Sequence, residues 1–320
     1  MFQKQLIMRR VLYSLTPIFL FSIYLYGWRV LALTVTVFAL GILTEFLVEK
    51  TRNKKVSEAV LVTSAIYTLS LPPATPLWIA AIGIIFAVFI GKEVFGGFGR
   101  NVFNPAITGR LFIYITFPTV LAGSWMAAGA FGTGAVGVDA LSAASPLAVM
   151  RASGGNMPDL LNLFLGFRAG SIGESSTILI IAAAIYLIAT KTAQWRLILS
   201  TFLSGTILIV VFYYTGISPE FPPLLGVMSG SLLYVAVFMS TDPVSAPNKP
   251  LSQWLYGTII GSVTILVRTL SGFPEGSSFG ILMGNAFAAL LDELLPKPQK
   301  KKKAAKPAPK PKNQTKEASA

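Results

Sequence analysis

Ten apolar runs make up most of this chain, near residues 11–27, 30–48, 58–72, 76–94, 107–125, 176–190, 196–214, 223–240, 252–270 and 278–294. Runs of this kind have no place on the surface of a soluble domain. Several sit at the lower length limit for crossing a hydrocarbon core of ~30 Å. Charged residues are only 12% of 320, against 53% hydrophobic, where a soluble domain carries about a quarter charged. The reading is an all-α polytopic membrane protein with about ten transmembrane helices, some of them short or broken. No short apolar core with a small-residue cleavage site stands at the start, so the first run is expected to remain as a span.

Cysteine and histidine are both absent. That removes thiolate-held iron–sulfur clusters, histidine-ligated haem, structural zinc, disulfides and Cys or His catalysis together. No resident metal is expected, and redox chemistry in such a chain needs an organic cofactor.

The net charge of +13 is unevenly placed: residues 297–320 hold nine lysines and one acid, Glu317, which leaves +5 for the rest. Residues 1–295 read as the membrane domain, and 296–320 as a Lys/Pro/Ala-rich tail that cannot bury a core and is expected to be disordered. Such a tail suits anionic lipid or an acidic partner, and no nucleic-acid partner is expected. Lys4, Arg9 and Arg10 precede the first span, Lys50, Arg52, Lys54 and Lys55 follow the second, and Lys191 and Arg196 flank the turn between the sixth and seventh. With ten spans all of these fall on one side, so both termini are expected in the cytoplasm of a bacterial inner-membrane protein. Arg29, Arg151, Arg168 and Arg268 form the minority on the other face, with the long loop at 126–175.

Two polar breaks interrupt the apolar sequence on the expected inner side. The first is Gly-Lys-Glu-Val-Phe-Gly-Gly-Phe-Gly-Arg-Asn-Val-Phe-Asn-Pro at 91–105, the second Ser-Thr-Asp-Pro-Val-Ser-Ala-Pro at 240–247. Each follows an apolar stretch that opens with a double proline, Pro72-Pro73 and Pro222-Pro223, a weak parallel echo. Irregular backbone at membrane depth survives only where it lines a cavity or is buried in protein, so paired breaks point to a binding site, although simple surface turns are an equal alternative for each one alone. The first break lacks a Gly-Lys-Ser/Thr ending and is no Walker loop. Asn101 and Asn104, at i and i+3, are expected to share a helical face and offer amides to the edge of an uncharged heterocycle. Gly96 and Gly97 beside them let backbone approach a flat ring. Of the acids in or near the spans (Glu45, Glu93, Asp242, Glu275, Asp292, Glu293), Asp242 beside Thr241 is the foremost functional candidate, and Glu93 with Asp242 marks a candidate ion path.

The remaining signal is a polar, small-residue island at 138–147. Ser145 followed by Pro146 is a helix start, with Ser145 as N-cap and Pro146 in the first helical position. Taken alone, an ordinary capped helix in a loop is the plainer reading, and an anion site at the helix start is the alternative.

The two breaks, together with Phe-Pro-Glu-Gly and its apolar sequel (273–291), resemble the NqrB/RnfD family of flavin-bearing membrane subunits over most of residues 10–295. Compact length and a short N-terminal extension resemble the RnfD branch, the D subunit of the Rnf complex, more than the larger quinone-reductase branch. The resemblance implies a bundle of two inverted halves, like that of urea and ammonium channels. It also implies FMN held by a phosphoester to a hydroxyl in a motif Asp-Gly-x-Ser/Thr-Gly-Ala-Thr/Ser. The matching run is Asp139-Ala140-Leu141-Ser142-Ala143-Ala144-Ser145, which places the phosphoester on Ser145, framed by Asp139, Ser142 and Pro146. It departs from the motif in using Ser as acceptor and in carrying alanine for both glycines.

A second, non-covalent flavin such as riboflavin is implied too, with Gly96, Gly97, Asn101, Asn104 and Pro105 facing Thr241 and Asp242. The function implied is electron relay between the two flavins, coupled to Na⁺ or H⁺ translocation, in a ferredoxin:NAD-type complex with other membrane, flavin and iron–sulfur subunits and a flavin transferase for maturation. The chain alone is not expected to be a complete enzyme. Three other readings stay open: a subunit of an NADH:quinone oxidoreductase of the Nqr type, a channel or carrier without flavin, and a structural anchor.

Overall fold

The computed structural model describes residues 2–126, 128–129, 145–152, 159–271 and 276–295. Asp139, Ser142 and the tail at 296–320 lie outside the described residues. A two-residue strand β1 (Phe2–Gln3) pairs in parallel with β2 (Val56–Ser57). Everything else is helix or connection.

The first two helices, α1 (Leu6–Tyr26) and α2 (Trp28–Thr51), are joined at Gly27, whose φ of +67° suits glycine. Next come α3 (Ala59–Ser70) and α4 (Leu77–Val88), which runs on into a π-helical turn, Phe89–Glu93. Helix α5 (Pro105–Thr116) breaks at Phe117 before Pro118 opens α6 (Pro118–Ala122). Two short helices follow, α7 (Pro146–Ala152) and α8 (Leu160–Leu165), and then α9 (Thr177–Ala189) and α10 (Trp195–Tyr214). Helix α11 (Pro223–Met228) is separated by a break at 229–231 from α12 (Leu232–Tyr234), which continues into a second π turn, Val235–Met239. The chain closes with α13 (Pro250–Leu270) and α14 (Gly276–Leu294).

Each of the ten expected spans coincides with helical sequence. Four helices, α1, α2, α10 and α13, are long and apolar enough to cross a membrane unaided. Helix α3 has 12 residues, about 18 Å at 1.5 Å per residue. It stops at Pro72-Pro73 because the residue before a proline is pushed out of the helical region, and Leu71 is extended with ψ 153°. Large apolar side chains stand exposed in mid-helix, Val35, Ile185 and Ile207 among them. Water would penalise that arrangement and lipid does not. The fold is thus an all-α, polytopic membrane protein.

The first π turn runs into the first polar break read from the sequence, and the second comes directly before the second. A π turn inserts a residue into the helical ladder and re-aims the side chains after it, which is why such turns gather at functional sites.

Helix α2 packs on α4 and α4 on α5; in the second half α10 packs on α13 and α13 on α14. The halves meet where α1 lies antiparallel to α9. At one end Arg10 Nη1 donates to Thr190 O at 2.8 Å, and at the other Tyr26 Oη donates to Arg168 O at 3.1 Å. The first long helices of the two halves therefore run in opposite directions. Below, the end of the bundle where α1 begins is the near end and the opposite one the far end.

Small residues allow the second half to close. A Cβ at Gly261 would stand 2.3 Å from Thr201 O and 2.8 Å from Gly205 N, and one at Gly280 2.6 Å from Ile260 O. Lipid supplies no hydrophobic drive between helices, so contact depends on backbones approaching this closely. Gly261→Leu is expected to lower stability by about 1–3 kcal/mol, the range for overpacking, seen as a lower midpoint of thermal unfolding in detergent. An unchanged midpoint would mean that α10 and α13 are not this close.

Candidate functional site

The sequence-predicted residues gather in two places at opposite ends of the bundle. At the far end Ser145 caps α7: its Oγ accepts from the Ala148 N–H at 3.2 Å, and its carbonyl accepts from the Val149 N–H at 2.9 Å. Pro146 takes the first helical position. Both residues line a cavity of about 740 Å³ whose walls also carry Arg110, Arg151, Arg168 and Arg268, with Glu174 the one carboxylate among the described residues.

Tertiary contacts hold those arginines in place. Arg168 donates through Nη1 to Met228 O at 2.6 Å and through Nη2 to Glu174 O. Arg268, in the last turn of α13, reaches Gly226 O and Ser229 O, both at 3.4 Å. Arg151 donates to Arg268 O and lies 5.6 Å from the Phe221 ring centroid. Arg110 stands 5.5 Å from the Tyr114 ring centroid and pairs with Glu174 at 3.8 Å. Gly230, at the break between α11 and α12, has φ +78°, and a Cβ there would lie 2.8 Å from Leu147 and 3.1 Å from Arg268 Nη2. The Ser171 hydroxyl, on the same wall, is buried without a hydrogen-bond partner among the described residues. Four guanidinium groups against one carboxylate, with an unused hydroxyl, make this cavity a setting for an anionic ligand.

At the near end Asn101, Asn104, Pro105, Thr241 and Asp242 line one cleft, together with Lys92. The pairing of the two polar breaks is therefore real in three dimensions. The cleft is narrow, about 60 Å³, where ligand pockets usually run ~300–1,000 Å³.

The two asparagines do not share a helical face. Asn104 is extended (φ −64°, ψ 117°) because Pro105 follows it, and its Oδ1 caps α5 by accepting from the Ala106 N–H at 3.0 Å. Asn101 lies in the preceding loop and donates from Nδ2 to Phe103 O at 3.0 Å. Asn104→Ala is expected to cost about 1 kcal/mol for the lost cap; a variant as stable as the parent in chemical unfolding would contradict the capping role.

Asp242 is half-buried in a turn of its own, accepting from Ser245 Oγ at 2.7 Å and the Val244 N–H at 3.2 Å. Desolvation pushes its carboxyl above the ordinary carboxylate range, against those hydrogen bonds. Gly96 and Gly97 do not line this cleft. They turn over a neighbouring group of buried carboxyls, with φ of +108° and +91°. Glu93, buried at 1% exposure, belongs to that group too and does not line the cleft that Asp242 lines. Lys92 touches both: it lines the cleft and ion-pairs with Glu45 at 2.5 Å.

Sequence reading missed Arg110, Glu174 and Glu49. The signal for Arg110 was its place inside an apolar run, where an ionisable group is a functional candidate by default.

A model of the family described as NQR2, RnfD, RnfE matches residues 2–301. The chain is 39% identical over 264 residues to the B subunit of the Na(+)-translocating NADH-quinone reductase of Chromohalobacter salexigens, an alignment covering 80% of this chain and 62% of that protein. It is 36% identical over 276 residues to the protein of the same name from Azotobacter vinelandii, covering 84% and 67%. With the one from Pseudoalteromonas atlantica it shares 36% over 299 residues, covering 89% and 71%. The chain thus spans about two thirds of the length of these relatives. Length, taken alone, points to the RnfD branch, whereas these relatives carry the quinone-reductase name. A shared core can bear extensions of different size, so length does not sort the branches.

Proposed function

Because this chain belongs to the NQR2, RnfD, RnfE family, we propose that it is the flavin-carrying membrane subunit of an ion-translocating electron-transport complex, of the NADH:quinone reductase type more than the ferredoxin:NAD type. The observation that carries the proposal is the Ser145 hydroxyl opening on a far-end cavity of about 740 Å³ with four arginines in its walls. That volume lies within the usual range for ligand sites of this size.

The covalent FMN belongs on Ser145. Formation of the phosphoester removes the hydroxyl proton and needs an activated phosphoryl donor, which a flavin transferase working at the far end would supply. The far end is then the outer face, and the near end, with Lys4, Arg9 and Arg10, the cytoplasmic one. Arg151 and Arg268 are the residues placed to hold the phosphate charge, while Arg110 and Glu174 shape the floor. After esterification the former hydroxyl oxygen keeps a lone pair, so the Ala148 N–H retains its acceptor. Bound there, an isoalloxazine supplies one- and two-electron redox chemistry; the chain's own part is to anchor it, set its charge environment and exclude water.

The residues at the near-end cleft do not fit a second flavin as they stand. A tricyclic ring enters about 60 Å³ only if side chains such as the exposed Phe98 swing outward.

The test is in-gel flavin fluorescence of the denatured chain, made in its own membrane beside its transferase, with an FMN mass on the peptide that contains Ser145. An unmodified peptide beside a properly flavinylated partner subunit would sink the covalent site. A colourless protein from which extraction releases no flavin would favour a channel or carrier instead.

A further inference from the structure

Two acidic side chains at the near end meet where the last turn of α2 packs against the first π turn: Glu49 and Glu93, 5% and 1% exposed. Arg52 straddles one oxygen of each. Its Nη1 donates to Glu49 Oε1 at 3.3 Å and to Glu93 Oε2 at 2.9 Å, and its Nη2 to Glu93 O at 2.8 Å. The other two oxygens, Glu49 Oε2 and Glu93 Oε1, are buried and have no donor among the described residues, and the two carboxyls are drawn together on the single Arg52 Nη1 that they share. Ionised carboxylates only accept, so two of them drawn together in this way repel unless one carries a proton to donate.

The charges around the pair do not supply the missing donor. On α2, Glu45 is already taken up by Lys92 of the π turn at 2.5 Å and by the Ser57 N–H and Oγ, both at 2.7 Å. Lys54 and Lys55 line the mouth of an adjoining cavity of about 350 Å³ and stand in water, as does Arg100 over Gly96, where their attraction is screened. Three buried carboxyls therefore face two cations, the buried Lys92 and the exposed Arg52. Gly97 closes the turn over the pair: a Cβ there would stand 2.5 Å from Glu49 Oε1 and 3.6 Å from Glu93 Oε2. Among the described residues no set of three or more His, Cys, Asp or Glu side chains is disposed to hold a metal ion, so a single small positive charge suits the site better than a metal ion.

We propose that Glu49 and Glu93 share one proton and form a proton-binding site at the near end of the bundle. The site is a property of the polypeptide and does not depend on a flavin at Ser145.

The test is infrared difference spectroscopy of the purified full-length protein across pH in Na⁺-free buffer, in an Asp242→Asn background because that carboxyl is also held protonated more readily than usual. The expected result is a protonated-carboxyl C=O band at neutral pH that disappears in Glu49→Gln and in Glu93→Gln. Either glutamine brings its own N–H donor, so each variant is expected to unfold at the parent's temperature at neutral pH. The parent loses stability as rising pH removes the shared proton, and the variants do not. Absence of the band from the parent at neutral pH overturns the proposal, as does a band that persists undiminished in both variants. Stability that rises with Na⁺ and not with added protons overturns it as well, by making the occupant an alkali cation. Should the variants fail to fold, the parent's band and its Na⁺ and pH arms decide alone.

Discussion

Ser145→Ala is expected to emerge without covalent flavin, its in-gel fluorescence at background while a flavinylated partner subunit in the same membranes still glows. The reason is chemical: alanine offers no hydroxyl to accept a phosphoryl group, and no other hydroxyl among the described residues caps α7 at the mouth of the far-end cavity. Alanine also removes the acceptor for the Ala148 N–H, which costs about 1 kcal/mol, so loss of flavin has to be separated from loss of fold. Ser145→Thr makes that separation, since threonine keeps both the cap and the acceptor oxygen and is expected to retain the flavin. Fluorescence persisting in Ser145→Ala would move the attachment elsewhere, and its absence from both variants would point to misfolding.

Lys92→Met is expected to be the most destabilising single change at the near end. Lys92 Nζ stands 2.5 Å from Glu45 Oε2 and 2.7 Å from Ser57 Oγ, and the two charged side chains are 2% and 1% exposed. Methionine fills the volume but strands the Glu45 charge in a low-dielectric setting, and breaking one side of such a pair typically costs about 3–5 kcal/mol. The double variant Glu45→Gln/Lys92→Met is expected to recover most of the loss. Its glutamine carbonyl still accepts from the Ser57 N–H and hydroxyl, and no charge is left buried. Thermal unfolding of the three proteins in one detergent decides it: a single variant costing under about 1 kcal/mol would place the pair in water, and a double variant no better than the single would remove the charge argument.

Much of this architecture is legible in the sequence. Apolar runs with few charges locate the ten helical segments, because in lipid every backbone N–H and C=O must be satisfied within its own helix. Positive charges sort the connections to two sides, and the structure keeps Ser145 and the Asn101–Asp242 cleft at opposite ends. The Ser145-Pro146 helix start follows from local chemistry. The same signal stands at Asn104-Pro105, where proline forbids the shared helical face expected of the two asparagines. The π turns at Phe89–Glu93 and Val235–Met239 leave no mark, since a five-residue departure is invisible to a 3.6-residue period.

What the sequence determined by itself is the solvent this chain folds in, the helices that solvent demands, and the few places where polar residues interrupt them. All three follow from interactions between residues close along the chain. Tertiary structure alone decided which distant charges share a space. Arg151, Arg168 and Arg268 marked only a side of the membrane until the closing of the bundle brought them to one cavity with Arg110, and Glu49 carried no signal until the π turn laid Glu93 beside it. The cost of burying a charge depends on its partners, and those partners exist only once the bundle has closed.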